Sequence, residues 1–116
     1  MLFVCYDGCS TCRRARQWLD ARGADYTVRP IKTENPTAAE LLAWREKAGV
    51  PMRKLFNTSG QLYRRMGLKD RLDGMSEEEM AALLATDGML VRRPLLIGED
   101  FALVGFREKE WEAVVV

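Results

Sequence analysis

Two cysteines three residues apart, in the run Cys9-Ser10-Thr11-Cys12, are the side chains of this 116-residue sequence best suited to chemistry. The sequence has no histidine to act as a base, so a thiol that is to attack anything must be ionised by its surroundings. Its neighbours offer that. The apolar run Met1-Leu2-Phe3-Val4-Cys5-Tyr6 precedes the pair and an amphipathic run begins at Arg13, which predicts a strand, a short turn, and two thiols in the first turn of a helix. Amides in a first helical turn have no partner within the helix, and the peptide dipoles sum there to a partial positive charge. A free thiol has a pKa of about 8.5, and helix N-termini with adjacent cations lower it to roughly 3.5 to 7.5. Positions i and i+3 share a helix face, which brings the two sulfurs near each other. Cys9 is then the exposed attacking thiol. Cys12 shares a stripe with Ala15 and Leu19, so it lies inward, placed to resolve a mixed disulfide formed on Cys9. A CxxC beside a strand-helix pattern reads as a thioredoxin-like redox motif.

Other uses of the three thiols are weaker. Structural zinc needs four ligands, and beyond the pair only Cys5 remains. Cys5, Cys9 and Cys12 have the C-x3-C-x2-C spacing that holds an iron-sulfur cluster in radical enzymes, but those are large barrels and Cys5 sits within a strand-like run. The plainest alternative makes all three small buried hydrophobes. No metal is expected, and the role of Cys5 stays open. Arg13, Arg14 and Arg16 occupy the start of the helix, where the dipole favours acidic residues. An anion bound beside Cys9 would compensate. Arg13, adjacent to Cys12, is the candidate for that role, while Arg14 and Arg16 also fit a solvated basic face.

Around this pair the chain reads as one α/β domain over residues 1–116. The composition is ordinary for a globular protein, at 47% hydrophobic and 30% charged residues, and the net charge of +1 gives no reason to expect nucleic acid or a membrane surface as partner. No stretch approaches a membrane span, and the start lacks the features of a signal peptide, so a cytoplasmic location is expected. There, cysteines are more often catalytic or sensing than structural. The first helix covers residues 10–22 and ends at Gly23, and residues 25–29 form a second strand, giving a βαβ unit with parallel strands. Thr37 and Glu40 form a capping box that opens a helix to Gly49, with Trp44 packing in the core or at its edge. A helical turn over residues 51–56, a turn over 57–60, a short helix over 61–66 and a second capping box at Ser76 and Glu79 follow. The region from about 37 to 90 is therefore a helical insertion. Strands at 95–97 and 101–104 form a hairpin, and a last helix runs from 107 to about 114. Trp44 and the terminal Val114-Val115-Val116 would promote association if exposed.

Four segments together carry a family resemblance: Cys9-Ser10-Thr11-Cys12-Arg13-Arg14-Ala15, Leu55-Phe56-Asn57-Thr58-Ser59-Gly60, Arg92-Arg93-Pro94-Leu95 and Val104-Gly105-Phe106-Arg107. The sequence resembles the arsenate reductase and Spx-like branch of the thioredoxin fold, nearest to the arsenate-reductase-related proteins. The resemblance implies a mixed four-stranded sheet flanked by helices, a catalytic cysteine at Cys9, and a cis peptide before Pro94. It also implies an oxyanion pocket formed by the amides after Cys9 and by Arg13, Arg93 and Arg107. Two departures stand out: glutaredoxin-coupled arsenate reductases carry serine where this chain has Cys12, and an extra pocket arginine near the position of Asn57. Asparagine cannot supply that charge, so the resemblance points to a thiol-dependent oxidoreductase acting on a disulfide or an oxyanion. Glutathione, glutaredoxin or thioredoxin would be the electron donor, with no bound cofactor. The alternative is an Spx-like redox-sensing regulator that binds the RNA polymerase alpha subunit.

Overall fold

The protein is described by a computed structural model over residues 1–115. The first strand, β1 (Leu2–Cys5), leads through a tight turn into α1 (Ser10–Ala21) and then β2 (Thr27–Pro30). β1 and β2 run parallel, with Leu2 opposite Thr27 and Cys5 opposite Pro30. A hairpin of β3 (Leu95–Ile97) and β4 (Ala102–Val104) adds antiparallel to the other edge of β1. The result is a mixed four-stranded sheet in the order β2-β1-β3-β4. This is the thioredoxin-like arrangement that the family resemblance implies.

Alternation along the strands explains the layering, because successive side chains of a strand point to opposite faces. Phe3 and Cys5 of β1 and Leu96 of β3 pack with Cys12, Ala15 and Leu19 of α1 and with Trp111 of the last helix, α6 (Glu108–Val114). Val4, Leu95 and Ile97 face the other way, onto the helices that connect β2 to β3. Those are α2 (Ala38–Ala48), α3 (Gln61–Arg65), α4 (Leu68–Arg71) and α5 (Glu77–Leu84), with short 3-10 turns between them. Both capping boxes close as the sequence predicts: Thr37 with Glu40 at the start of α2, and Ser76 with Glu79 at the start of α5. Each such cap satisfies amides that have no helical partner, an effect of about 1 kcal/mol.

The shortest elements depart from the sequence reading. α4 and the 3-10 turns at Leu72–Gly74 and Gly88–Leu90 were not legible, since each is shorter than five residues and is held by burying Leu68, Leu72 and Leu90. Trp44 packs in the core, as the sequence predicts, and Val115 is buried as well, so neither supplies exposed apolar surface for association; Val116 lies outside the described residues. Arg22, just past the end of α1, stays exposed and stacks its guanidinium 3.7 Å from the Trp18 ring centroid. Among the described residues, no helix is long and apolar enough to cross a membrane.

Candidate active site

Cys9 is the residue from which α1 starts, with extended backbone angles (φ −95°, ψ 119°), and its carbonyl accepts from the Arg13 amide at 3.1 Å. Its own N–H donates to the Tyr6 carbonyl at 3.0 Å, which pins the turn between strand and helix. Cys9 is half-buried, whereas Cys12, one helical turn on, is only 3% exposed. Local chemistry then separates the two thiols. For Cys9, burial is the largest influence and opposes ionisation. It is outweighed by the Cys12 amide, a hydrogen bond from the Cys12 thiol, the Thr11 amide and the charge of Arg93, and the Cys9 pKa falls below its ordinary value. The two amides act from the open end of the helix without closing a full capping bond. Burial is also the largest influence on Cys12, and there it prevails. With a neighbouring Cys9 thiolate adding to it, and only the Tyr6 amide opposing, the Cys12 pKa is pushed up to about 12. Cys5 is buried in the same apolar cluster and its pKa is raised too, by burial first and then by Asp7. Among the described residues, the three thiols do not gather into a metal-binding group.

Cys9 opens on a cleft of about 750 Å³. Opposite it lies the turn Asn57-Thr58-Ser59-Gly60, and the cleft is completed by Arg65 of α3, by Arg92 and Arg93, and by Gly105 and Phe106. Asn57 is anchored by its amide, which donates to the Leu90 carbonyl at 2.8 Å, and its side chain lies over Gly60 so closely that a Cβ there would come within 2.8 Å of Asn57 Nδ2. The Arg93-Pro94 peptide is cis, as the resemblance implies, and the Pro94 carbonyl accepts from the Gly105 amide at 2.8 Å. Gly105 has a left-handed φ of +78°, and a Cβ there would meet Arg92 Nε at 3.0 Å. Glycine thus serves both the turn and the close approach of a guanidinium. Arg93 spends Nη1 on the carbonyls of Met89 (3.3 Å) and Val91 (3.2 Å), and its guanidinium carbon sits 5.3 Å from the Tyr6 ring centroid.

The site residues read from the sequence are therefore divided. Cys9, Asn57 and Arg93 line one cleft, and Pro94 joins it through Gly105. Arg13 does not line it; its Nη1 donates instead to the Asp7 carbonyl at 3.1 Å, on the exposed side of the turn. Arg107 lines a separate cavity of about 160 Å³ with Lys54, Arg92 and Glu110. Arg65 and Arg92 line the Cys9 cleft and were not singled out. For Arg92 a signal existed, since it opens the Arg92-Arg93-Pro94 run; Arg65 comes from a helix with no local mark of function.

The ArsC family model matches residues 5–114. The chain belongs to the ArsC family. Among solved structures it is similar to an ArsC family related protein from Bacteroides fragilis, with 50% identity, a TM-score of 0.94, and 97% of this chain and 94% of that one covered. Among curated proteins it is 43% identical to YusI of Bacillus subtilis, over 97% of this chain and 95% of that protein. It is also 26% identical to the global transcriptional regulator Spx of Staphylococcus haemolyticus, over 88% of this chain and 76% of that regulator. Within the ArsC family, then, the sequence has both reductase-like and regulator relatives.

Proposed function

We propose that this ArsC family member is a cytoplasmic thiol-dependent oxidoreductase in which Cys9 is the nucleophile and Cys12 the resolving thiol. The observation that carries this reading is the asymmetry of the pair: Cys9 is made more acidic and opens on the cleft, while Cys12 is buried with its pKa pushed up to about 12. The Cys9 thiolate attacks one sulfur of a substrate disulfide, forming a mixed disulfide and expelling the other half as a thiolate. Capping Cys9 removes its negative charge and the hydrogen bond it accepted, which are two of the influences that keep Cys12 protonated. The Cys12 sulfur then attacks Cys9, its proton passes to the departing thiolate, and a Cys9-Cys12 disulfide remains. Two electrons have gone to the substrate, and glutathione, glutaredoxin or thioredoxin returns them as thiols.

An oxyanion substrate finds less support. The family resemblance implies a further cation near the position of Asn57 that this chain lacks, and of the arginines it implies for an oxyanion pocket neither Arg13 nor Arg107 lines the cleft. Arg93 is the remaining arginine of the expected pocket there, and it is partly engaged with backbone carbonyls.

The test is turnover of a small disulfide with glutathione or thioredoxin as donor, followed by mass spectrometry of the oxidised protein. Turnover that is lost in Cys9→Ser, with a Cys9-Cys12 disulfide or a glutathione adduct on Cys9, is the expected result. Absence of turnover with every donor, together with capture of the RNA polymerase alpha subunit in one redox state, would favour the regulator reading that the similarity to Spx supports.

A further inference from the structure

Cys5 is a buried nucleophile that the exchange chemistry of Cys9 and Cys12 does not use. Alternation along β1 puts its side chain on the same face as Phe3, toward α1. There it packs in one apolar cluster with Cys12, and Cys9 packs against that cluster from its half-buried edge. Cys12 is the middle thiol of the three. On one side it donates to the Cys9 sulfur. On the other its sulfur lies 3.5 Å from the Tyr6 nitrogen, two bonds from the Cys5 Cα, which brings the Cys12 sulfur within about 6 Å of that Cα. Both side chains project into the layer between the end of β1 and the first turn of α1, the kind of short span that a disulfide bridges. Among the described residues the three thiols form no metal-binding group. Thiol exchange asks for a different arrangement, a row in which the attacked sulfur stands between the incoming and the departing one.

We infer that Cys5 is a third exchanging thiol, which attacks Cys12 in the oxidised pair and moves the disulfide inward from Cys9-Cys12 to Cys5-Cys12, freeing Cys9 for a second substrate. This rests on the Cys9-Cys12 disulfide of the proposed function and adds a step after it. The Cys5-Cys12 bond forms as the Cys9-Cys12 bond breaks, Cys9 leaves as a thiolate, and the Cys5 proton passes to solvent, so no electrons enter or leave the protein. Exchange is faster when the departing thiol is the more acidic one, and of the three Cys9 is the thiol whose pKa is lowered. While Cys9 is bonded to Cys12 it carries no charge, and one of the influences that hold Cys5 protonated is removed. The product joins the two buried sulfurs in a neutral bond inside the apolar cluster and returns the anion to the helix start, where amides and Arg93 favour it. Two oxidising equivalents are then held away from the cleft while Cys9 reacts again.

The test treats the folded protein with excess dipyridyl disulfide, quenches with acid and digests with chymotrypsin without reduction. Cleavage after Tyr6 separates Cys5 from Cys9 and Cys12, so mass spectrometry reads directly which sulfurs are joined. The expected product has the Cys5 peptide linked to Cys12 and a pyridyl group on Cys9, with about three pyridinethiones released per protein and only about two from Cys5→Ala. Cys5 recovered in any other state, as a free thiol beside a Cys9-Cys12 disulfide or carrying the pyridyl group itself, overturns the inference. If Cys9 does not react with the probe, the exchange reading fails instead, and Cys9→Ser oxidised with diamide decides the inner pair. A Cys5-Cys12 disulfide in that variant would sustain the pairing, and two free thiols would overturn it.

Discussion

The backbone N–H of Tyr6 lies 3.5 Å from Cys12 Sγ, so the end of β1 holds the inner cysteine in place while Cys9 remains on the cleft side. The Cys12 thiol in turn donates to Cys9 and favours its thiolate. Cys12→Ala removes both the donor and the resolving sulfur. The expected outcome is a Cys9 that is alkylated more slowly at neutral pH, by about fivefold for the loss of one hydrogen bond of about 1 kcal/mol. Mixed disulfides with substrate should also accumulate, visible as adducts in intact-protein mass spectrometry. Unchanged alkylation with rapid release of the adduct would show that Cys12 does neither job.

Gly105 joins the sheet to the site, since its amide bonds to Pro94, its carbonyl accepts from Trp111 Nε1 at 3.1 Å, and its surface receives Arg92. Gly105→Ala forces a side chain into a left-handed conformation, at a cost of roughly 1 to 2 kcal/mol, and crowds the Arg92 guanidinium. Denaturant unfolding should show that loss. Trp111→Phe should cost a similar amount, about 1 to 3 kcal/mol, by leaving a buried carbonyl unpaired.

Which parts of this protein can be read from its sequence follows from how local their causes are. The capping boxes at Thr37 and Ser76 and the alternation of Phe3, Val4 and Cys5 are written within a few residues, and the elements they mark form as expected. The position of Cys9 at a helix start is equally local, as is the inward stripe of Cys12, Ala15 and Leu19. α4 is four residues long and exists because Leu68 is buried, a tertiary cause with no periodic signal. The arginines show the same division. Arg13 is near Cys9 in sequence but turns to the Asp7 carbonyl, whereas Arg65 and Arg92 reach the cleft from elements far along the chain.

Arg29 and Glu40 form a partly buried pair, with Arg29 Nη2 2.8 Å from Glu40 Oε1 and further bonds from Arg29 to the carbonyls of Glu34 and Asn35. The Arg29 hydrogen bond is the main cause holding the Glu40 carboxyl down, to about 2 from an ordinary 4.5. A depressed carboxyl stabilises the fold above its unfolded pKa, and the contribution disappears as pH falls through the folded value. Arg29→Gln should therefore cost about 1 kcal/mol near neutral pH, a modest figure because Glu40 still meets solvent. Part of that gap to wild type should close between pH 4.5 and 2, the window set by Glu40. Urea unfolding across that range checks it, and a gap constant with pH would mean the pair contributes nothing through its charge.

An ionised Cys9 is the condition for the exchange chemistry proposed at this site. The pH dependence of iodoacetamide alkylation at Cys9, with Cys9→Ser marking the background from Cys5 and Cys12, measures it directly. A midpoint below the free-thiol value of about 8.5 is the predicted result. A midpoint at or above that value would contradict it, because helix amides, the Cys12 thiol and Arg93 would then have failed to overcome the burial of the sulfur.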